Sequence, residues 1–177
     1  MTREGTVMGL VTDVRVRQPA KHDLVDRRFV VSGVGSGFEG TIGMRLLGPG
    51  NSVIGTGHAQ SEGGGHGIGE FTGTVTVDRP PRPGTRCTLE VFGDNPGLPD
   101  EGPSPGFHTR RVEVIVFPDL AGWLLYRVEP GDTLTGIVRR LRDHGRVTVA
   151  QVVAANPIIT DPDTIEVGWR LRIPLKR

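Results

Sequence analysis

One cysteine, Cys87, stands among the 177 residues, so no internal disulfide can form. It sits in the alternating segment TRCTLEVF, where a cysteine serves as a small buried hydrophobe rather than a nucleophile. No apolar run approaches the ~18 residues that a membrane span needs. The opening stretch, MTREGTVMGLVTDVRV, holds neither an apolar h-region nor a small-residue cleavage site, and no secretory signal is expected in it. The net charge is +1 and the pI is about 8.0, far from the basic excess of a nucleic-acid binder, so no nucleic-acid partner is expected. Hydrophobic residues make up 36% and mean hydropathy is -0.19, which allows modest cores only. The cationic segment VRRLRDHGR reads as the solvated face of a helix.

The usual signatures of catalysis and cofactor binding are also missing. His22, His58, His66, His108 and His144 show no metal-ligand spacing, and neither a metal nor a cofactor is expected. Cys87 and His108 have no evident orienting group. Glu39, Glu70 and Glu90 show no pairing pattern, so no enzyme is expected. Gly35 to Gly40 fit G-x-G-x-x-G, but the following TIGMRLL alternates like a strand, and a hairpin turn is the better reading. EGGGHGIG (62–69) lacks the G-K-[ST] ending of a phosphate loop and reads as a flexible connection between strands.

What remains is glycine, turn residues and alternation. Seven short segments between about Val11 and Phe117 alternate apolar and polar: VTDVRV, RRFVVSGV, GTIGMRLLG, SVIGTGHA, GEFTGTVTVD, TRCTLEVFG and HTRRVEVIVF. Turn residues separate them, which predicts an all-β, immunoglobulin-like sandwich of about seven strands over residues 1–118. The run from Asn95 to Gly106, rich in proline and glycine, is predicted to be an exposed loop. A linker is expected at 119–125.

From there the periodicity changes. LYRV reads as a strand. Leu134, Ile137, Val138 and Leu141 then fall on one helical face, with Asp132 or Thr133 as N-cap and Gly145 as stop. Thr148 and Gln151 have capping-box spacing, with Val147 and Val152 at the staple positions, and Asn156-Pro157 ends this second helix. WRLRIP is a last strand. Two strands cannot stand alone, so both helices must cover one face of the pair. The result is a small α+β domain of βααβ order over 126–177.

Residues 126–174 resemble the lysin motif, LysM. The resemblance rests on Tyr126-Arg127-Val128, Gly131-Asp132-Thr133-Leu134, Ile137, VVAANP (152–157), Ile165, Gly168, Leu171 and Ile173-Pro174. Residues from about 12 to 118 resemble the immunoglobulin-like domain of bacterial spore germination proteins, through Val31-Ser32-Gly33, SGFEGTI, GEFTGTVTV and LEVFGDNPG. The LysM resemblance implies a non-catalytic module that binds peptidoglycan or another N-acetylglucosamine oligomer in a shallow groove. It implies that Gly131, Asp132, Thr133 and Leu134 form one wall, and Asn156, Pro157, Ile158 and Ile159 the other. Loop backbone would pair the amide of the sugar, while Leu134 or Ile158 would cover its methyl. Glycine at 131 would let a ligand approach closely. The resemblance places the chain at a bacterial cell envelope or wall, with the immunoglobulin-like domain as spacer or as the dock for a protein partner. The alternative is an assembly adaptor whose LysM-like domain docks protein in a phage-tail-like or spore-related complex.

Two departures from the family stand out. Val167 and Trp169 flank Gly168 where proline and glutamine are usual, and Trp169 is either a sugar platform or a residue packed on the sandwich. Gly136 stands inside the first helix, which is expected to run on through RLRDHGR.

Overall fold

The computed structural model describes residues 12–65, 67–94, 108–144 and 146–177. The expected loop at Asn95–Gly106, His66 and the expected stop at Gly145 lie outside them.

All seven predicted strands of the first domain form. They are β1 (Val14–Gln18), β3 (Arg28–Gly35), β4 (Thr41–Leu47), β5 (Val53–Gln60), β6 (Gly69–Val77), β7 (Thr85–Gly93) and β8 (Arg110–Val116). An eighth, β2 (Leu24–Val25), is too short to show alternation and pairs in parallel with β8. The hydrogen-bonded order is β1-β3-β6-β5-β4-β7-β8-β2, joined in the middle by only two residue pairs between β5 and β6. Inward side chains from both halves meet in one apolar cluster: Val14, Val31, Phe71 and Val75 from one, Ile42, Leu46, Leu89 and Val114 from the other. Cys87 belongs to it, and burial pushes its thiol up to about 11, well away from a nucleophile's range. The G-x-G-x-x-G segment does not close a hairpin. It carries the chain from β3 to β4, which lie in different halves, through a short 3-10 turn at Phe38–Gly40.

Among the described residues of this domain, one charged side chain is fully buried. Glu90 on β7 is 1% exposed, and Arg45 from β4 and Arg111 from β8 flank it in register. Arg111 donates to its carboxylate at 2.8 Å and Arg45 donates to the other oxygen. A carboxylate taken out of water needs such partners. These bonds outweigh the opposing effect of burial and hold its pKa below the ordinary range.

The tail is built as predicted in order but not in extent. Strand β9 runs over Leu120–Arg127 and pairs antiparallel with β10 (Arg170–Lys176). Residues 120–125 are therefore strand and not the expected linker. Their alternation is hidden in the sequence because the outward positions Trp123 and Leu125 are as apolar as the inward ones. The true connector is Phe117-Pro118-Asp119. Helix α1 (Leu134–Arg140) ends earlier than expected, at Leu141, and a 3-10 turn takes over at Arg142–His144. Helix α2 covers Val149–Ala155 and begins with the predicted capping box. Both helices bury Leu134, Ile137 and Val152 against Val128, Leu171 and Ile173 on one face of the pair. No described helix is long and apolar enough to cross a membrane.

Replacing Arg45 by methionine keeps the apolar stem and leaves Glu90 with one cationic partner. Urea melts should show a loss of about 1–3 kcal/mol, the cost of an under-satisfied buried group. An unchanged midpoint would mean that Arg111 and solvent suffice.

Candidate functional site

Two loops of the tail hold the residues singled out above. The first follows β9. Its sharp turn is made at Gly131, whose φ of +84° is left-handed, while nothing lies within 4 Å of where a Cβ would be. Glycine is thus required by the backbone there and not by space. Thr133 is the N-cap of α1: its backbone is extended and its Oγ1 accepts from the Gly136 amide at 3.1 Å.

Asp132 does a different job. Its Oδ2 accepts from the Tyr126 hydroxyl at 2.7 Å and from the Glu129 amide at 2.9 Å, and its Oδ1 pairs with Arg140 in the last turn of α1. The Arg140 guanidinium also sits 6.0 Å from the centre of the Tyr126 ring. The side chain ties strand, turn and helix together and is 4% exposed. The Glu129 amide, the Tyr126 hydroxyl and Arg140, in that order of effect, bring its pKa down to about 2. The same bond pushes the Tyr126 hydroxyl up.

The second loop follows α2. Asn156 is 3% exposed and its whole carboxamide is used inside. Nδ2 donates to the carbonyls of Val152 and Arg172, each at 2.7 Å, and Oδ1 accepts from the Arg172 amide at 2.7 Å. The side chain therefore acts as a short piece of strand beside β10 while closing α2. The Asn156 carbonyl accepts from the Ile159 amide at 2.9 Å, and Ile159 turns back into the core.

The eight residues divide accordingly. Leu134 and Ile159 lie in one apolar cluster, which anchors both loops to the same core. Leu134, 3% exposed, is not available to cover a ligand's methyl group, contrary to expectation, because it is the first inward position of α1. Asn156 and Asp132 turn their polar groups inward. What the loops offer to solvent is Gly131, Thr133, part of Pro157 and Ile158, which is 53% exposed. Trp169 packs against the tail's own core and not on the sandwich.

Sequence reasoning missed two features. The Tyr126–Asp132–Arg140 knot could have been suspected from a tyrosine six residues before an acid in a tight turn. The other is Trp123, 48% exposed on the outer face of β9 beside Leu125 in a stretch too apolar to show alternation.

Residues 126–174 match the LysM domain model. The tail is a LysM domain. Residues 13–97 match the immunoglobulin-like domain of bacterial spore germination, in the order expected from the sequence. Among solved structures, domains 4 and 5 of the S-layer protein SbsC are similar at 14% identity over 60% of this chain and 53% of theirs, so the chain spans about half of that structure. The TM-score is 0.32, too low to support any argument. No curated protein matches the chain significantly.

Two outcomes follow for the LysM domain. Asn156→Ala strips partners from buried main-chain groups of Val152 and Arg172 and should destabilise it by about 2–4 kcal/mol in a denaturant melt. Asp132 has a folded-state pKa below its unfolded value, so its contribution is fully present above about pH 4 and fades as pH falls toward about 2. Asp132→Asn should flatten that acid limb of the melting temperature.

Proposed function

We propose that this chain is a non-catalytic binding protein that recognises an N-acetylglucosamine-containing glycan, such as peptidoglycan, through Gly131–Leu134 and Asn156–Ile159 of its LysM domain. The observation that carries this reading is the division of labour in the two loops. Their charged and amide side chains are occupied internally, while Gly131, Thr133 and Ile158 are exposed. An acetamido group offers one donor, one acceptor and a methyl, which main-chain atoms and an aliphatic side chain can answer without net charge. Loops already fixed by internal bonds lose little freedom on binding. The immunoglobulin-like domain serves as the support for this module.

A second reading, the assembly adaptor, is favoured by Trp123 and Leu125, 48% and 61% exposed on the outer face of the LysM sheet. Adjacent exposed apolar groups of this size suit protein contact.

Titration of labelled protein with chitin oligomers separates the two readings. On the glycan reading, amide resonances move at 131–134 and 156–159, and Ile158→Ala weakens binding by about 1 kcal/mol, roughly five-fold. Trp123→Ser leaves the affinity unchanged. If no loop resonance moves and the protein stays soluble over purified peptidoglycan, the glycan reading fails and the adaptor stands.

A further inference from the structure

The LysM domain does not hang free of its neighbour. Only Phe117, Pro118 and Asp119 separate β8 from β9, and this connector is pinned: Oδ1 of Asp26 accepts from the amides of Asp119 and Leu120 at 2.8 and 3.3 Å. At the far end of β10, Arg177 pairs with Asp26 at 3.3 Å and donates its amide to the Asp119 carbonyl at 2.9 Å. Between these points α2 presents Ala154 and Ala155 to Leu24, Ile115, Phe117 and Leu120, in an apolar cluster separate from either domain's own core. The approach is close. A Cβ on Gly84, in the turn before β7, would lie 2.6 Å from that of Ala154.

Arg172 completes the joint. Its side chain leaves β10 and donates through Nη1 to the His22 carbonyl of the β1–β2 turn at 2.8 Å, and through Nη2 to the Ala155 carbonyl at the end of α2. Its own amide and carbonyl are the groups that Asn156 holds. One residue therefore joins the first domain, the end of α2 and the start of the second loop. Both acceptors of its guanidinium are backbone carbonyl oxygens, a fork that guanidinium geometry meets and a rotating ammonium meets in part.

We infer that the immunoglobulin-like domain helps to set the LysM binding surface, with Arg172 as the positioning residue that holds the conformation of loop 156–159 through its grip on His22 and Ala155. This rests on the glycan reading for its ligand but not for its geometry. Removing the grip frees the loop that carries Ile158, and binding then pays for ordering it.

The test uses the full chain. Amide relaxation of wild-type protein gives one rotational correlation time for both domains. Ala154→Glu sets a carboxylate against Gly84 and Phe117, outside the LysM core, and splits it into two, whereas Ala150→Glu, on an exposed position of the same helix, does not. Arg172→Met shifts the amides of 156–159, leaves those of 131–134 in place, and weakens chitin-oligomer binding on the order of ten-fold. Arg172→Lys restores part of both. Independent tumbling in wild type, or unmoved 156–159 amides in Arg172→Met, overturns the inference. Should Arg172→Met not fold, Ala154→Glu decides alone: unmoved 156–159 amides in that variant overturn it. If wild type binds no chitin oligomer while the relaxation and loop shifts come out as expected, the glycan reading fails and the positioning role of Arg172 stands.

Discussion

The carboxamide of Asn156 makes three hydrogen bonds to main-chain groups and leaves none of its polar atoms for solvent. Everything distinctive about the LysM domain depends on that. A helix of seven residues is too short to be stable by propensity, and its last carbonyls need partners. Asn156 supplies one to Val152 and at the same step fixes α2 beside β10. The two-stranded sheet, itself marginal, gains a third member in the form of one side chain. Because Ile159 is bonded back to the Asn156 carbonyl, the loop between them starts from a fixed point.

Asp132 plays the equivalent part in the first loop, with charge in place of an amide. Both residues were expected to face a ligand, and both face inward. Recognition then falls to groups with no charge of their own, which suits a neutral sugar better than an ionic partner. The second charged group taken out of water, Glu90, is held by the same logic in the other domain, where two arginines in register answer one carboxylate.

Much of this was legible in the sequence. The seven alternating segments give the seven longer strands of the first domain, and Thr148–Gln151 gives the capping box, because period and cap are local properties of a short stretch. What could not be read are the features set by residues far apart. The two-residue β2 exists because β8 offers it an edge. The N-terminal half of β9 reads as a linker because Trp123 and Leu125 erase the polar half of its alternation. The family resemblance puts Leu134 in a groove wall, although its helical spacing with Ile137 and Val138 points it to the core. Ligand access is not what calls for glycine at 131, since its backbone angle favours glycine with or without a ligand.

A connector of three residues spans at most about 10 Å. Such a hinge sweeps out almost no volume. A protein that must reach for scattered targets uses a long, pliant tether, and local search then compensates for a weak single contact. This chain has given up that search. Any second contact has to lie at a distance and direction already built into the molecule, so the spacing of whatever surface it meets becomes a selection criterion in its own right.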